Sequence, residues 1–163
     1  MEFPEKDIYK EIEDELTDKA YYFTSKEHTP VAHFDWDRVQ YEAEGERKEF
    51  PFDRPAVFVR FGEMPYETEG LRKRGTIPII ITVVQDKYVD SAKDSPSQAD
   101  YLKLLEYKYL INDVLNEFRG TCFNALTLIS METDHENRNL HVERIRYECK
   151  VTLKRNVVPL PEP

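Results

Sequence analysis

Hydrophobic positions along this chain follow two periods, and the places where one gives way to the other mark out its elements. Ile8, Ile12 and Leu16 recur at four-residue spacing among Glu5, Asp7, Glu11, Glu13, Asp14 and Glu15. That is the narrow apolar stripe of a surface helix; Pro4 suits its first turn and the acids favour the positive end of its dipole. A helix is expected over 4–19. Through 20–54 the pattern degrades, with Phe34, Trp36, Val39 and Tyr41 hinting at one short strand before the charged run 42–49. Period two then takes over. Val57, Val59 and Phe61 share one face of a strand over 56–62, and Ile77, Ile79, Ile81 and Val83 share one face of another over 76–85. The polar stretch 63–75 between them, with Leu71, Arg72, Lys73 and Arg74, reads as the long arm of a hairpin, longer than a turn needs.

The long-period pattern returns after a second polar loop. Ser95 reads as an N-cap, Pro96 as the first helical position, Gln98 as the capping-box residue and Gly120 as the stop. At 100° per residue Leu104, Tyr107, Ile111, Val114, Leu115 and Phe118 fall opposite Lys103, Glu106, Asp113 and Glu117. This describes an amphipathic helix of about 23 residues and roughly 35 Å. Leu102, Leu105 and Tyr109 lie off that stripe and are read as a subunit contact rather than a second internal packing face. Two strands, 125–132 and 142–154, close the chain. The second sets Ile145, Tyr147, Cys149, Val151 and Leu153 against Arg144, Arg146, Glu148, Lys150, Thr152 and Lys154, the pattern of one buried and one wet face. The predicted fold is α+β: an antiparallel sheet of about four strands with two helices packed on one face, in the order α-β-β-α-β-β. Residues 1–155 form one domain with polar loops near 42–54, 63–75 and 86–95, and 156–163, with Pro159, Pro161 and Pro163, an extended tail.

Composition narrows the function classes. A chain of 163 residues with 40% apolar content can build a single core, and its net charge of -9 disfavours a free-standing nucleic-acid binder. The opening residues lack the apolar run of a secretory leader, and the longest apolar run, 77–84, is broken by Pro78 and Thr82 and is too short for a bilayer. The expectation is a soluble, intracellular protein with no membrane partner. Cys122 and Cys149 are read as reduced core residues.

No residue set points to catalysis, a cofactor or a metal. His28, His33, His135 and His141 form no helical metal-binding pair, and Asp134-His135-Glu136 with His141 reads as a polar hairpin tip before a metal site. Glycines at 45, 62, 70, 75 and 120 are scattered, so there is no phosphate loop. Tyr101, Tyr107, Lys108 and Tyr109 resemble a base-stacking surface, but a helix with this stripe uses such aromatics for packing.

Several segments resemble the tail terminator (tail completion, neck) proteins of long-tailed phages: Phe34-Asp35-Trp36-Asp37-Arg38-Val39-Gln40-Tyr41, Phe50-Pro51-Phe52 leading into 55–61, the β-rich 77–84, and Arg146-Tyr147-Glu148-Cys149-Lys150-Val151. The resemblance spans about 5–154. It implies a virion structural protein and no enzyme: a ring, expected to be a hexamer, that caps the tail tube and joins it to the neck. Implied partners are other copies of the chain, tail-tube and neck or connector proteins, and DNA only as passing cargo. The implied location is the tail-neck junction of the virion, with assembly in the host cytoplasm. Under that reading Leu102, Leu105 and Tyr109 would meet Val57 and Phe58 of a neighbour, the arm 71–74 would reach the next ring, and Arg146, Glu148, Lys150 and Lys154 would line the lumen. The rivals are a small ligand-binding or regulatory α+β module, and a metal enzyme using Asp134, His135 and His141.

Overall fold

The computed structural model describes residues 4–42, 50–70, 72–87, 92–121, 123–137 and 139–154, apart from the side chains of Glu69 and Lys154. Its elements run α1 (Pro4–Asp18), α2 (Ala20–Ser25), β1 (His33–Trp36), β2 (Ala56–Phe61), β3 (Tyr66–Glu69), β4 (Arg72–Asp86), α3 (Gln98–Leu115), β5 (Thr127–Asp134) and β6 (Leu140–Lys154). The strands form one six-stranded sheet in the order β1-β2-β4-β6-β5, with β3 also beside β4. β1 runs parallel to β2, and every other pairing is antiparallel.

This corrects the expected four-stranded antiparallel sheet with two helices. The sheet is mixed, has six strands and carries three helices among the described residues. The extra elements are short and weakly patterned. β1 is four half-buried or exposed residues without alternation, and β3, Tyr-Glu-Thr-Glu, is held by its ladder to β4 rather than by an apolar face. Within 63–75, expected as a polar loop, Tyr66–Glu69 pairs antiparallel with Arg72, Lys73, Arg74 and Gly75. Glu69 pairs with Arg72 across a turn in which Gly70 takes φ 61°, the left-handed conformation glycine tolerates. Gly75 is required by a close approach: it pairs with Tyr66, whose ring occupies the space a Cβ would take.

The two long strands β4 and β6 pair along their whole lengths, from Arg72↔Lys154 to Asp86↔Leu140. Pro78 is tolerated inside β4 because its carbonyl accepts from Gly62 N, in the gap where β2 ends and β3 begins. Its missing N–H points to that same gap. On one face of the sheet Ile8, Ile12 and Leu16 of α1 and Tyr107, Ile111 and Leu115 of α3 pack on Val57, Val59, Ile77, Ile79, Ile81, Val83, Ile145 and Tyr147, all buried. The helix and strand periods read from the sequence meet here as expected. Among the described residues the other face is covered at one end, where Tyr41, Phe50 and Phe52 pack over Ala56, Phe58, Val84, Leu140 and Val142.

The boundaries of α3 also differ from expectation. It starts at Gln98 behind Ser97, because the Ser95 hydroxyl accepts from Ser97 N and holds a turn ahead of the helix. It ends at Leu115, well before Gly120. Asn116 is extended, Glu117 turns left-handed at φ 64°, and Glu117 N then bonds Leu126 O, pulling the chain toward β5. Gly120 serves a different need, since a Cβ there would meet the Phe123 ring and the Glu11 carboxylate. The strict alternation of β6 holds at Ile145, Tyr147, Cys149 and Val151. It fails at His141 to Glu143, where covers on both faces bury every side chain. Cys122 and the tail 156–163 lie outside the described residues.

Candidate functional site

Two surfaces stand out, on opposite sides of the sheet. On the helix side, α3 turns Leu104, Tyr107, Ile111 and Leu115 inward. Leu102 and Tyr109 therefore remain about half exposed, at 50% and 55%, with Leu105 half-buried beside them. Lys108 Nζ lies 5.5 Å from the Tyr109 ring centroid. Tyr21 of α2 adds a further exposed ring, at 82%. The packing reading of the α3 aromatics holds for Tyr107, which is buried, stacks on Phe23 and donates to Thr29 O at 2.8 Å.

The proposed mates of that patch are not on the surface. Val57 and Phe58 have no exposed area, and β2 is an interior strand between β1 and β4. The weakly patterned β1 closes the edge that β2 was expected to offer, and Tyr41 and Phe52 cover Phe58. These two residues belong to the fold and not to a subunit contact.

Part of the arm, Arg72 and Arg74, shares a surface with Arg146, Glu148 and Lys150 of the lumen set. In the ladder Arg72 pairs with Lys154, Arg74 with Thr152, Thr76 with Lys150, Pro78 with Glu148 and Ile80 with Arg146, while Ile80 also pairs with Arg60. Since a strand alternates sides with period two, these positions share the face away from the helices. Arg60, Arg72, Arg74, Arg144, Arg146 and Lys150 of β2, β4 and β6 thus stand together, with Glu148 the acid among them. Lys73 falls on the other face, and Leu71 lies outside the described residues. Arg144, already read onto the wet face of the last strand, was left out of the lumen set, and Arg60 was missed, although the alternation of Val59-Arg60-Phe61 was available to place it.

Some of this charge is balanced locally. Arg144 donates to Asp134 at 3.1 Å and lies over the Tyr41 ring. Burial disfavours the Asp134 carboxylate, but bonds from Glu136 N and Arg144 outweigh it and hold that carboxyl below its ordinary range. Arg146 reaches Glu148 only at 4.0 Å, with both side chains exposed. Glu67 and Glu69 oppose Arg74 and Arg72 in the ladder.

Inside, one carboxylate among the described residues is fully buried. Glu143 accepts from Lys108 Nζ at 2.8 Å and contacts His141 Nε2 at 2.8 Å. Burial pushes against its charge, yet the His141 and Lys108 hydrogen bonds win and hold its pKa below the ordinary value. This arrangement also undoes the metal-enzyme grouping. His141 is drawn to Glu143, Asp134 is held by Arg144, and His135 is exposed. Among the described residues no group of three His, Cys, Asp or Glu is placed to hold a metal ion.

On the helix side of β1 and β2, Tyr9, Phe34, Trp36 and Phe61 form a chain of ring contacts with centroids 5.2 to 5.9 Å apart. Burial, then the charges of Glu13 and Asp35, push the Tyr9 phenol up to about 12. An open groove of about 590 Å³ runs between Arg74, Lys150 and Phe123, and a smaller cavity of about 230 Å³ lies beside His28, Gln85 and Tyr107. In the latter His28 Nε2 is buried without a hydrogen bond, 3.3 Å from Glu106 Oε2.

No protein-family model matches the chain, and no curated protein matches it in sequence. Among solved structures it is similar to a chain of the virion of a native gene transfer agent (GTA) particle. The identity is 11%, over 87% of this chain and 92% of that one, with a TM-score of 0.49. A likeness at that level implies neither a shared fold nor a shared function. No described helix is long and apolar enough to cross a membrane.

Proposed function

We propose that this chain is a virion structural protein of a long-tailed phage that assembles with copies of itself into a ring, caps the tail tube and joins it to the neck. The observation that carries the reading is the pair of unlike surfaces on opposite sides of one sheet: exposed Leu102 and Tyr109 on α3, and a cation-rich face on β2, β4 and β6. A closed ring is built from heterologous contacts, which need two different patches on each subunit. The sequence resemblance through 34–41, 50–61, 77–84 and 146–151 to tail terminators supplies the tail and neck as partners. On this reading the protein acts by binding and performs no reaction.

On this reading Arg72 and Arg74, at the hairpin end of β4, would reach a second ring. The test is to add the purified chain to polymerising tail-tube subunits of the same virion and image the tubes. Capping predicts density at one end of each tube and a halt to elongation. Tubes that grow unchanged and carry no added end density would reject the reading. A second reading, a small ligand-binding module, is favoured by one observation, the buried His28 Nε2 beside the 230 Å³ cavity. It predicts a protein that remains a single chain when concentrated.

A further inference from the structure

We infer that the helix layer of one copy docks on the open sheet face of the next, Leu102 and Tyr109 seating on the strip around Ile80 while Arg60, Arg146 and Lys150 face the acidic helices. This rests on the self-assembly reading above and names its interface. A largely antiparallel sheet can leave its second face to water, so what that face carries decides whether it binds anything. Among the described residues Tyr41, Phe50 and Phe52 cover the end around Phe58 and Val84, and none covers the rest. From Ile80 toward Arg72 the face holds half-buried Ile80 among exposed Arg60, Arg72, Arg74, Arg146 and Lys150.

Charge identifies the occupant. The chain as a whole carries -9, yet this face is positive, so the deficit lies elsewhere. Much of it is on α1, where Glu5, Asp7, Glu11, Glu13, Asp14, Glu15 and Asp18 outnumber Lys6 and Lys10. Dimensions agree as well. The fifteen residues of α1 span about 22 Å. The eight steps of β4 from Ile80 to Arg72 span about 27 Å. Apolar anchors inside a charged rim are the anatomy of a protein contact, here Leu102 and Tyr109 against Ile80. Nucleic acid fits less well, because Glu148 interrupts the cations and Glu67 and Glu132 flank them. Because the two faces differ, each copy keeps one of each after docking, and the contact repeats head to tail.

Two variants separate the faces. The sheet variant carries Arg60→Glu, Arg146→Glu and Lys150→Glu; the helix variant carries Leu102→Arg and Tyr109→Arg, all at exposed positions. Sedimentation in low salt is measured for each alone and for the equimolar mixture, with circular dichroism to show that each is folded. Should the triple variant misfold, Arg60→Glu with Lys150→Glu takes its place. The expected result is at least tenfold weaker self-association for each variant alone, and pairs of two chains in the mixture. Such pairs form because one variant keeps its helix layer and the other its sheet face. Variants that assemble like the wild type would overturn the inference and leave the ring reading standing. A wild type that stays single in low salt at high concentration would overturn both. A sheet variant that loses duplex-DNA binding but assembles normally would make nucleic acid the occupant and overturn the inference.

Discussion

The Glu143 network gives the sharpest quantitative test of the fold. Lys108→Met removes the ammonium 2.8 Å from the carboxylate while keeping most of the apolar stem, and leaves Glu143, fully buried, with His141 alone. Removing one partner of a buried ion pair costs about 3–5 kcal/mol, because the remaining charge is stranded. The surviving His141 contact and the 14% exposure of Lys108 put this case at the low end, about 3 kcal/mol. In a domain of this size that lowers Tm by roughly 6–12 °C. The companion double variant, Lys108→Met with Glu143→Leu, removes the stranded charge and leaves only the buried His141 Nε2 unpartnered, so it should be more stable than the single variant and lie about 1–2 kcal/mol below the wild type. Urea unfolding at neutral pH, followed by circular dichroism and by fluorescence of Trp36, measures both. A single-variant loss under about 1 kcal/mol, or a double variant no better than the single, would refute the reasoning.

Other outcomes follow from the same structure. Because the folded Glu143 holds its pKa below the ordinary carboxyl value, its contribution is complete above the unfolded value and is lost as pH falls through the folded one. The acid side of a stability-pH curve should therefore be flatter in the Lys108→Met, Glu143→Leu variant, and an unchanged slope would contradict this. Ile81→Ala, at a fully buried position at the centre of the sheet, should cost about 2–5 kcal/mol in urea unfolding. Gly75→Ala should push the Tyr66 ring off β4, raising hydrogen exchange in β3 with little change in global Tm; undisturbed β3 protection would argue against the packing described.

What the sequence made legible was what repeats. Ile8, Ile12 and Leu16, the alternating Ile77 to Val83, and Ile145 to Val151 read directly as core, because each satisfies one period against one buried face. β1 was hinted at by Phe34 and Trp36 but not counted in the sheet, and β3 was illegible, for the opposite reason. Four residues are too few to establish a period, and Tyr66–Glu69 is held by backbone hydrogen bonds that leave no mark on side-chain type. Leaving that hinted strand out of the sheet led directly to the misplacement of Val57 and Phe58, since a strand taken for an edge is interior once a neighbour is added. The cationic face was half legible. Arg146, Glu148 and Lys150 were read correctly as one side of a strand, but only the β4–β6 register shows that Arg72 and Arg74 share it. Register depends on which strands pair, and a single sequence does not encode that locally.

The central claim, self-assembly through unlike faces into a closed ring, is tested most directly by native mass spectrometry of the full chain across a concentration series in low salt. The account predicts that single chains give way to one species of fixed ceiling, about six copies, with no larger members. A ladder of ever larger assemblies would mean that the contact does not close, and a single chain at every concentration would contradict the account outright.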